Sequence, residues 1–343
     1  MVSTDAYTAA HEHAVALDRS DRGLIVVSGA DRASYLQGMI TNDVVALKAG
    51  EGCYAAYLTP QGRMIADLFV YELGDVMLLT VPTKQKNTVL AKLDQFVFSE
   101  DVQLGDATDS FVAVAIVGPA AARVVGGIIG CPIGELDALP PHGNRRAQLD
   151  GQRAIVTRVM DTEVAGYDVY VEQPQAGALR RAVADAGVAP ADAETADTLR
   201  IEAGIPKFNR DMDEQTIPLE AGIESRAISL SKGCYVGQEV IIRVLHRGHG
   251  RVARKLVGLV FDLAIAPPPG ATVTVESREI GHVTSSTMSP GLSRPIALAY
   301  VHRDFLAPGT AVSVAGQRAV VAALPFVGAG TGPVQGGPSG CVN

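Results

Sequence analysis

The chain has 343 residues, more than the about 250 to 300 at which a single hydrophobic core stops growing, so two or three domains are expected. Apolar residues make up 47% of the sequence and charged residues 19%, which excludes a disordered chain and indicates a globular one. The 29 basic and 37 acidic side chains give a net charge of −8, which argues against broad adhesion to nucleic acid or anionic lipid.

The N-terminal residues 1–23 lack the basic segment and apolar run of a secretory signal. No apolar stretch approaches the roughly 18 to 20 residues that a membrane-spanning helix needs. We therefore expect a cytoplasmic protein without a membrane segment. The four cysteines form neither a CxxC pair nor a cluster with zinc spacing, which predicts free thiols and no metal site. They are Cys53, Cys131, Cys234 and Cys341.

The first third of the chain is typical of a strand, a helix and antiparallel hairpins. Residues 23–29, GLIVVSG, form a β-type run, and Asp31 is placed to cap a short helix after it. Breaks at residues 60–62 and 74–75 indicate hairpin turns between strands. In residues 84–98 the apolar side chains recur at helical spacing, which predicts an amphipathic helix.

A second round of the same order follows. Residues 111–118, FVAVAIVG, predict a strand, and Pro119 opens a helix that ends at Gly130. The segments AIVTRVM, YDVYVE and GALRRAVADAG then predict two strands and another helix. Because the strands come in hairpins and no GxGxxG opens a helix, we predict an α+β body with pseudo-repeated strand-helix-hairpin units, and not a doubly wound nucleotide fold.

Beyond about residue 250 the sequence consists of short β-rich runs separated by Gly, Pro and Ser, without a helical period. This pattern is typical of a small barrel or sandwich, and we predict a C-terminal β-barrel. The expected division is an α+β region of two subdomains in residues 1–248, a barrel in 249–327 and a disordered tail in 328–343.

Polar residues that suggest chemistry begin in TADTLRIEAG, where we expect Thr195 to cap a short helix and Gly204 to end it. The helix dipole disfavours a carboxylate at this end, so Glu202 is a candidate for a donor-rich partner such as a pterin or purine edge. A solvated glutamate is the alternative, and the pattern alone favours it.

The segment KGCYVGQE, residues 232–239, places Lys232 near Cys234 between two glycines. A nearby lysine lowers the pKa of a thiol and favours nucleophilic or redox chemistry, whereas a buried, inert cysteine is the alternative. His246 and His249 are the candidates for a Cys/His pair, but no nucleophile elbow accompanies the cysteine.

The only strongly basic stretch of the chain follows this segment. It suits a carboxylate, a phosphate or a short RNA, and a solvated linker is the alternative. Its members are Arg243, His246, Arg247, His249, Arg251, Arg254 and Lys255.

These motifs together resemble those of the YgfZ-type folate-binding proteins, relatives of the glycine-cleavage T protein, an aminomethyltransferase. KGCYVGQE is the complete signature of that type. Supporting matches are VSGADRASYLQGMITNDV, YLTPQGRMIADLFVY, LRIEAGIP, IPLEAG and IALAYV, so the resemblance covers roughly residues 20 to 325. It implies a folate-binding α+β body with a central cavity, a C-terminal β-barrel and tetrahydrofolate as the cofactor.

The resemblance also implies roles for single residues. Glu202 would hold the pterin edge, which reverses the preference for a solvated glutamate, and Arg226 would be a further folate contact. Tyr57 and Leu58 would line the cavity. The signature contributes Lys232 and Cys234 as catalytic candidates and Tyr235, Gln238 and Glu239 as cofactor-binding candidates.

One departure argues against one-carbon transfer. Aminomethyltransferases carry an aspartate after the strand that is LLTVP here, but in this chain no aspartate lies between that strand and Asp94. The primary expectation is therefore a tetrahydrofolate-binding protein that supports iron–sulfur cluster assembly or repair in client enzymes, with folate and iron–sulfur client or assembly proteins as partners. A folate-dependent aminomethyl or one-carbon transferase or demethylase is the alternative, and a tRNA-modification accessory factor is the second alternative.

Overall fold

The computed structural model describes residues 4–162, 164–246, 250–262 and 265–327. They form an α+β body of two sheets and their helices, followed by a closed six-stranded barrel, which confirms the predicted fold class. The predicted disordered tail, residues 328–343, lies outside the described residues, as do Arg247 and His249. Among the described helices, none is long and apolar enough to cross a bilayer.

Two N-terminal elements precede the first sheet, α1 (Thr4–Glu12) and β1 (Val15–Asp18). The first unit then has the strand order β3-β4-β5-β2-β6. Two helices cover one face of this sheet, where Leu36, Val70 and Leu93 share a core. The elements are β2 (Arg22–Ser28), α2 (Arg32–Met39), β3 (Gly52–Leu58), β4 (Met64–Glu72), β5 (Met77–Pro82), α3 (Lys86–Asp94) and β6 (Gln103–Asp106).

The second unit repeats this design. Its sheet has the order β8-β9-β10-β7-β1-β11, which is the order of the first sheet with β1 inserted beside the last strand. The predicted pseudo-repeat is therefore confirmed. The elements are β7 (Phe111–Val117), α4 (Ala121–Ile129), α5 (Ile133–Asp137), β8 (Asn144–Leu149), β9 (Gln152–Val159), β10 (Gly166–Glu172), α6 (Ala176–Asp185) and β11 (Ala189–Pro190).

The inner faces of the two sheets pack against each other. Leu24 and Leu78 of the first sheet share a core with Tyr170 of the second, while α4 and α6 cover the outer face of the second sheet. Burial on both faces explains why the strands are rich in apolar residues and show little alternation. The layer between the sheets is the place where a central cavity can form.

The rest of the described chain contains the helices α7 to α10 and the C-terminal barrel. The barrel closes in the order β12-β15-β14-β13-β16-β17, and α7 packs against its strand β14. The elements are α7 (Ala193–Glu202), α8 (Pro218–Ala221), α9 (Glu224–Ala227), α10 (Gln238–His246), β12 (Arg254–Phe261), β13 (Thr272–Val275), β14 (Arg278–Ser289), β15 (Arg294–His302), β16 (Ala311–Val314) and β17 (Gln317–Ala322).

Of the two predicted N-caps, one is displaced in the structure, and the other has the predicted position but makes no side-chain cap bond. The N-cap of α7 is Asp192, whose carboxylate accepts a hydrogen bond from the Thr195 amide at 2.7 Å, so the helix begins before the predicted cap. Asp31 is the N-cap residue of α2 but makes no side-chain cap bond, because its carboxylate accepts from the Asp101 amide at 2.9 Å instead. A long-range partner has replaced the local one.

Candidate functional site

A cavity of about 410 Å³ lies where the two sheets meet α7 and the segment that follows it. This volume falls within the range of about 300 to 1,000 Å³ that is usual for small-molecule sites. Strands β3 and β4, the loop before β8, α9 and residues 205–210 all contribute side chains to its wall. Elements from every part of the body therefore converge on one chamber.

An aromatic pair in the cavity wall is flanked by cations. The ring centroids of Tyr54 and Phe69 lie 5.0 Å apart, and His142 lies 5.3 Å from Phe69. The guanidinium of Arg22 is 5.0 Å from the Phe69 centroid, and that of Arg226 is 5.5 Å from the Tyr54 centroid. Such a surface suits a flat, polar-edged heterocycle, because rings and guanidinium planes both stack on it.

Three buried polar atoms in this wall have no hydrogen-bond partner among the described residues: Asp67 Oδ1, Arg22 Nε and His142 Nδ1. The other carboxylate oxygen of Asp67 accepts from the Tyr54 hydroxyl at 3.0 Å, and Arg22 Nη1 lies 3.6 Å from Asp67 Oδ1. A buried polar atom left without a partner costs about 1–3 kcal/mol. The wall therefore fits a ligand that brings both donors and acceptors.

The cavity cations differ in their partners. Arg226 lines the cavity and is exposed to solvent. Within the described part of the chain, no carboxylate lies at ion-pair distance from its guanidinium. The others are paired: Arg19 with Asp161 and Asp168, Arg22 with Asp67, Arg200 with Asp197 and Asp211, Lys207 with Asp21, and Arg210 with Asp197. Arg226 is thus the cation most available to an anionic or carbonyl group of a ligand.

Burial sets the protonation of two aromatic side chains of the wall. Burial, together with the charge of Arg226 as the second cause, lowers the pKa of His142 to about 4, so the imidazole is neutral at pH 7. Burial also raises the pKa of the Tyr54 hydroxyl well above its ordinary value, with the charge of Asp67 as the next cause. Both groups therefore act at neutral pH as uncharged hydrogen-bonding groups.

Glu202, the expected pterin-edge contact, does not line this cavity. Its side chain is almost fully buried at the junction with the barrel, where it accepts hydrogen bonds from Tyr7 at 2.7 Å and from Ser289. Arg200, two residues earlier on α7, lines the cavity instead. Residues two apart lie about 200° apart around a helix, so the two side chains leave α7 in opposite directions.

Tyr57 and Leu58, expected in the lining, lie in the core. Tyr57 packs under the helices of the first unit, and Leu58 packs with α8 and α10 residues. Tyr54 of the same strand lines the cavity. Of the residues that the resemblance implied, only Arg226 is in the wall.

Lys232 of the signature is engaged by backbone carbonyls. Its Nζ donates to the carbonyl oxygens of Gln37, Ile40 and Asn42 at 2.7, 2.7 and 2.8 Å, at the end of α2. Burial lowers the pKa of Lys232 to about 8. Burial raises the pKa of the neighbouring Cys53 thiol to about 12, and the charge of Lys232 only partly opposes this shift. Lys232 therefore ties the signature to α2.

The remaining signature residues follow Lys232 in the chain and differ in their exposure and partners. Cys234 is exposed, and the ring of Tyr235 lies 5.2 Å from Lys232 Nζ with its hydroxyl buried and unpartnered in the described chain. Gln238 begins α10, and Glu239 is exposed and pairs with Arg243 at 2.6 Å. None of the signature residues lines the cavity, so the signature forms a separate surface.

The basic stretch is partly neutralised by the protein itself. Besides the Arg243 pair, Arg254 lies 3.5 Å from Glu220, and Lys255 lies 3.1 Å from Glu224. These pairs fasten the start of the barrel to α8 and α9. Fewer cations of the basic stretch are therefore available to a phosphate or a short RNA than the sequence alone indicated.

Family models match most of the chain. The model described as GCVT N-terminal domain matches residues 2–232, and that described as glycine cleavage T-protein C-terminal barrel domain matches residues 254–327. The chain belongs to the glycine cleavage T-protein family. The narrower resemblance to YgfZ-type proteins is not confirmed by these matches.

Relatives of this T-protein family member carry the name aminomethyltransferase. One from Rubrobacter xylanophilus is 35% identical over 285 residues, which cover 83% of this chain and 75% of the relative. One from Nostoc sp. is 31% identical over 337 residues, covering 94% and 87%. The crystal structure of glycine cleavage system aminomethyltransferase T from Bartonella henselae superposes with a TM-score of 0.85 at 25% identity, covering 94% of this chain and 89% of that one.

Proposed function

We propose that this protein binds tetrahydrofolate in the central cavity and acts as a folate-dependent aminomethyl transferase. The observation that carries the proposal is the aromatic pair Tyr54–Phe69, bordered by the Asp67 oxygen that lacks a hydrogen bond and by the guanidinium of Arg226, which has no carboxylate partner in the described chain. The relatives named aminomethyltransferase support it.

The wall residues match the chemistry of a pterin ring. A pterin edge presents two N–H donors next to a carbonyl oxygen. Asp67 Oδ1 can accept from the donors, and Arg226 or the free Nε of Arg22 can donate to the carbonyl. Tyr54 and Phe69 would contact the ring face. When bound, tetrahydrofolate supplies the nitrogen atoms that accept a one-carbon unit.

In this proposal Asp21, in the cavity wall, substitutes for the aspartate that is absent after β5. The Thr83 amide donates to the backbone carbonyl of Asp21 at 2.9 Å, which places Asp21 beside the segment that lacks a carboxylate. The Asp21 carboxylate lines the cavity and pairs with Lys207 at 2.6 Å. In this proposal Asp21 orients or relays the proton of the transfer.

Turnover tests the proposed activity. Purified protein is incubated with tetrahydrofolate and aminomethyl donors, and methylene-tetrahydrofolate is measured together with the ammonia that leaves the donor. The proposal expects product from wild type and at least about a hundred-fold slower formation by Asp21→Asn, in line with the usual contribution of a general acid or base. No product from wild type with any donor would remove the transferase function.

A second candidate function rests on the exposed thiol of Cys234 within the complete signature KGCYVGQE. In that function the folate-binding protein supports iron–sulfur cluster assembly or repair, and client proteins contact the signature surface. The test replaces Cys234 by alanine in cells that lack the native protein and measures an iron–sulfur dehydratase. Unchanged dehydratase activity would eliminate this candidate.

A further inference from the structure

Barrel strand β14 contains a β-bulge that turns two neighbouring hydroxyl groups toward the body. Val283 pairs with Ala299 and Ser285 with Leu298, so Thr284 is an extra residue without a pairing partner on β15. Neighbouring side chains of a regular strand point to opposite faces, and a bulge breaks that alternation. The side chains of Thr284 and Ser285 both reach residues of the body as a result.

The two hydroxyl groups contact the two halves of a buried ion pair. Arg200 Nη1 lies 2.6 Å from Asp211 Oδ2, and the Asp211 side chain is 0% exposed. The Thr284 hydroxyl donates to Asp211 Oδ1, and the Ser285 hydroxyl accepts from Arg200 Nη2 at 3.0 Å. Each charged group therefore has one partner from the barrel. Buried charges need such additional hydrogen bonds to offset the water that they have lost.

The same ion pair holds a section of the cavity wall. Arg200 Nη1 donates to the Ile205 carbonyl at 2.8 Å, and Asp211 Oδ2 accepts from the Lys207 amide at 3.0 Å. Ile205, Lys207 and Arg210 line the cavity. A chain of hydrogen bonds thus connects the bulge, through Arg200 and Asp211, to residues 205–210.

We propose that the bulge at Thr284 makes the barrel a positioning element of the central cavity. Thr284 and Ser285 fix the Arg200–Asp211 pair, and this pair fixes the wall segment 205–210. The barrel is then required for the shape of the binding chamber, although none of its described residues lines the chamber. The expected effect of the bulge on ligand affinity rests on the proposed folate function, whereas its expected effect on the order of the wall segment 205–210 does not.

The strand offers a matched control. Thr287, three residues after Thr284, also uses its hydroxyl to contact α7, bonding the Thr198 hydroxyl at 2.7 Å. Thr198 does not line the cavity. Thr284→Val and Thr287→Val each remove one buried interfacial hydroxyl at nearly constant volume. Only the first leaves Asp211, which holds the wall segment 205–210 through the Lys207 amide, with an unpaired oxygen.

Hydrogen–deuterium exchange of the full-length protein without ligand tests the positioning role. Thr284→Val is expected to raise the exchange rates of amides in residues 207–212 at least tenfold over wild type, while Thr287→Val leaves them within about twofold. Thr284→Ser keeps the hydroxyl and is expected to behave as wild type. If the two valine variants change the exchange of residues 207–212 equally, the inference is overturned.

Tetrahydrofolate binding by the same variants tests the functional consequence. We expect the dissociation constant to rise at least fivefold for Thr284→Val and to stay unchanged for Thr287→Val. If wild type does not bind, the proposed folate function fails, and the exchange result still decides the role of the bulge. If Thr284→Val does not fold, Ser285→Ala replaces it, because this variant leaves Arg200 without its barrel partner. Ser285→Ala must then raise the exchange rates of residues 207–212, and unchanged rates overturn the inference.

Discussion

The guanidinium of Arg226 lies over the ring of Tyr54, 5.5 Å from its centroid, and no carboxylate of the described chain pairs with it. A charged hydrogen bond from such a group to a bound ligand contributes about 1.5–3 kcal/mol. Arg226→Leu is therefore expected to weaken tetrahydrofolate binding about 10- to 100-fold. Isothermal titration calorimetry measures the change, with Arg243→Leu, outside the cavity, as the control. Equal affinities of the two variants would exclude Arg226 as a contact.

His142 predicts a loss of stability in acid. Burial lowers the pKa of its folded-state imidazole to about 4, below the ordinary value of 6.5, so the unfolded chain binds the proton first as the pH falls. The contribution of His142 is fully present above pH 6.5 and is lost progressively toward pH 4, by about 3 kcal/mol at most.

Urea unfolding at several pH values measures this effect. His142→Asn suits the comparison, because asparagine tolerates the φ of 60° at this position and does not titrate. The free energy of unfolding of the variant should fall less steeply than that of wild type between pH 6.5 and 4. Parallel pH profiles would show that His142 is not buried as a neutral group.

Two glycines of the signature are expected to differ in how much stability the protein loses on substitution by alanine. Gly237 has a φ of 84°, and an added Cβ would lie 2.5 Å from the Thr59 carbonyl oxygen, whereas nothing lies within 4 Å of a Cβ at Gly233. Gly237→Ala should lower the free energy of unfolding by about 2 kcal/mol or more, and Gly233→Ala by less than about 0.5 kcal/mol. Chemical denaturation checks both. A harmless Gly237→Ala would mean that the signature does not pack against the β3–β4 turn.

The thiols of Cys234 and Cys53 predict a large difference in reactivity. Cys234 is exposed, while Cys53 is buried beside Lys232 with a pKa raised to about 12 by burial. Native protein treated with iodoacetamide at pH 7.5 should therefore carry the label on Cys234 at least about a hundred times faster than on Cys53. Peptide mass spectrometry follows both sites. Comparable labelling rates would indicate that the core around Cys53 opens readily.

The architecture was predictable because its signals are local. Turn residues at positions 60–62 and 74–75 mark the hairpins, and apolar runs mark the strands that are buried on both faces. The short elements α1 and β1 were not predicted, because β1 has only four residues and depends on pairing with β7 and β11. Tertiary pairing, which a local pattern does not contain, makes it a strand.

The cavity wall was less predictable, because it depends on the direction in which each side chain points as well as on which residue is present. Glu202 and Arg200 belong to one motif, yet helix geometry sends only Arg200 to the cavity. Asp67, a carboxylate in the middle of the largely apolar strand β4, was a signal that the sequence offered and that was not singled out. His142 and Phe69 had no distinguishing pattern, and only the packing of the two units brings them together.

Titration of tetrahydrofolate into wild type, Asp67→Asn and Glu202→Gln tests the central claim most directly, with folding of each variant checked by circular dichroism. Asp67 has a carboxylate oxygen without a hydrogen bond in the cavity wall, whereas Glu202 accepts hydrogen bonds from Tyr7 and Ser289 at the barrel junction. We expect wild type and Glu202→Gln to bind with similar affinity and Asp67→Asn to bind at least tenfold more weakly. Absence of binding by wild type, or loss of binding by Glu202→Gln with retention by Asp67→Asn, would contradict the assignment of the folate site to this cavity.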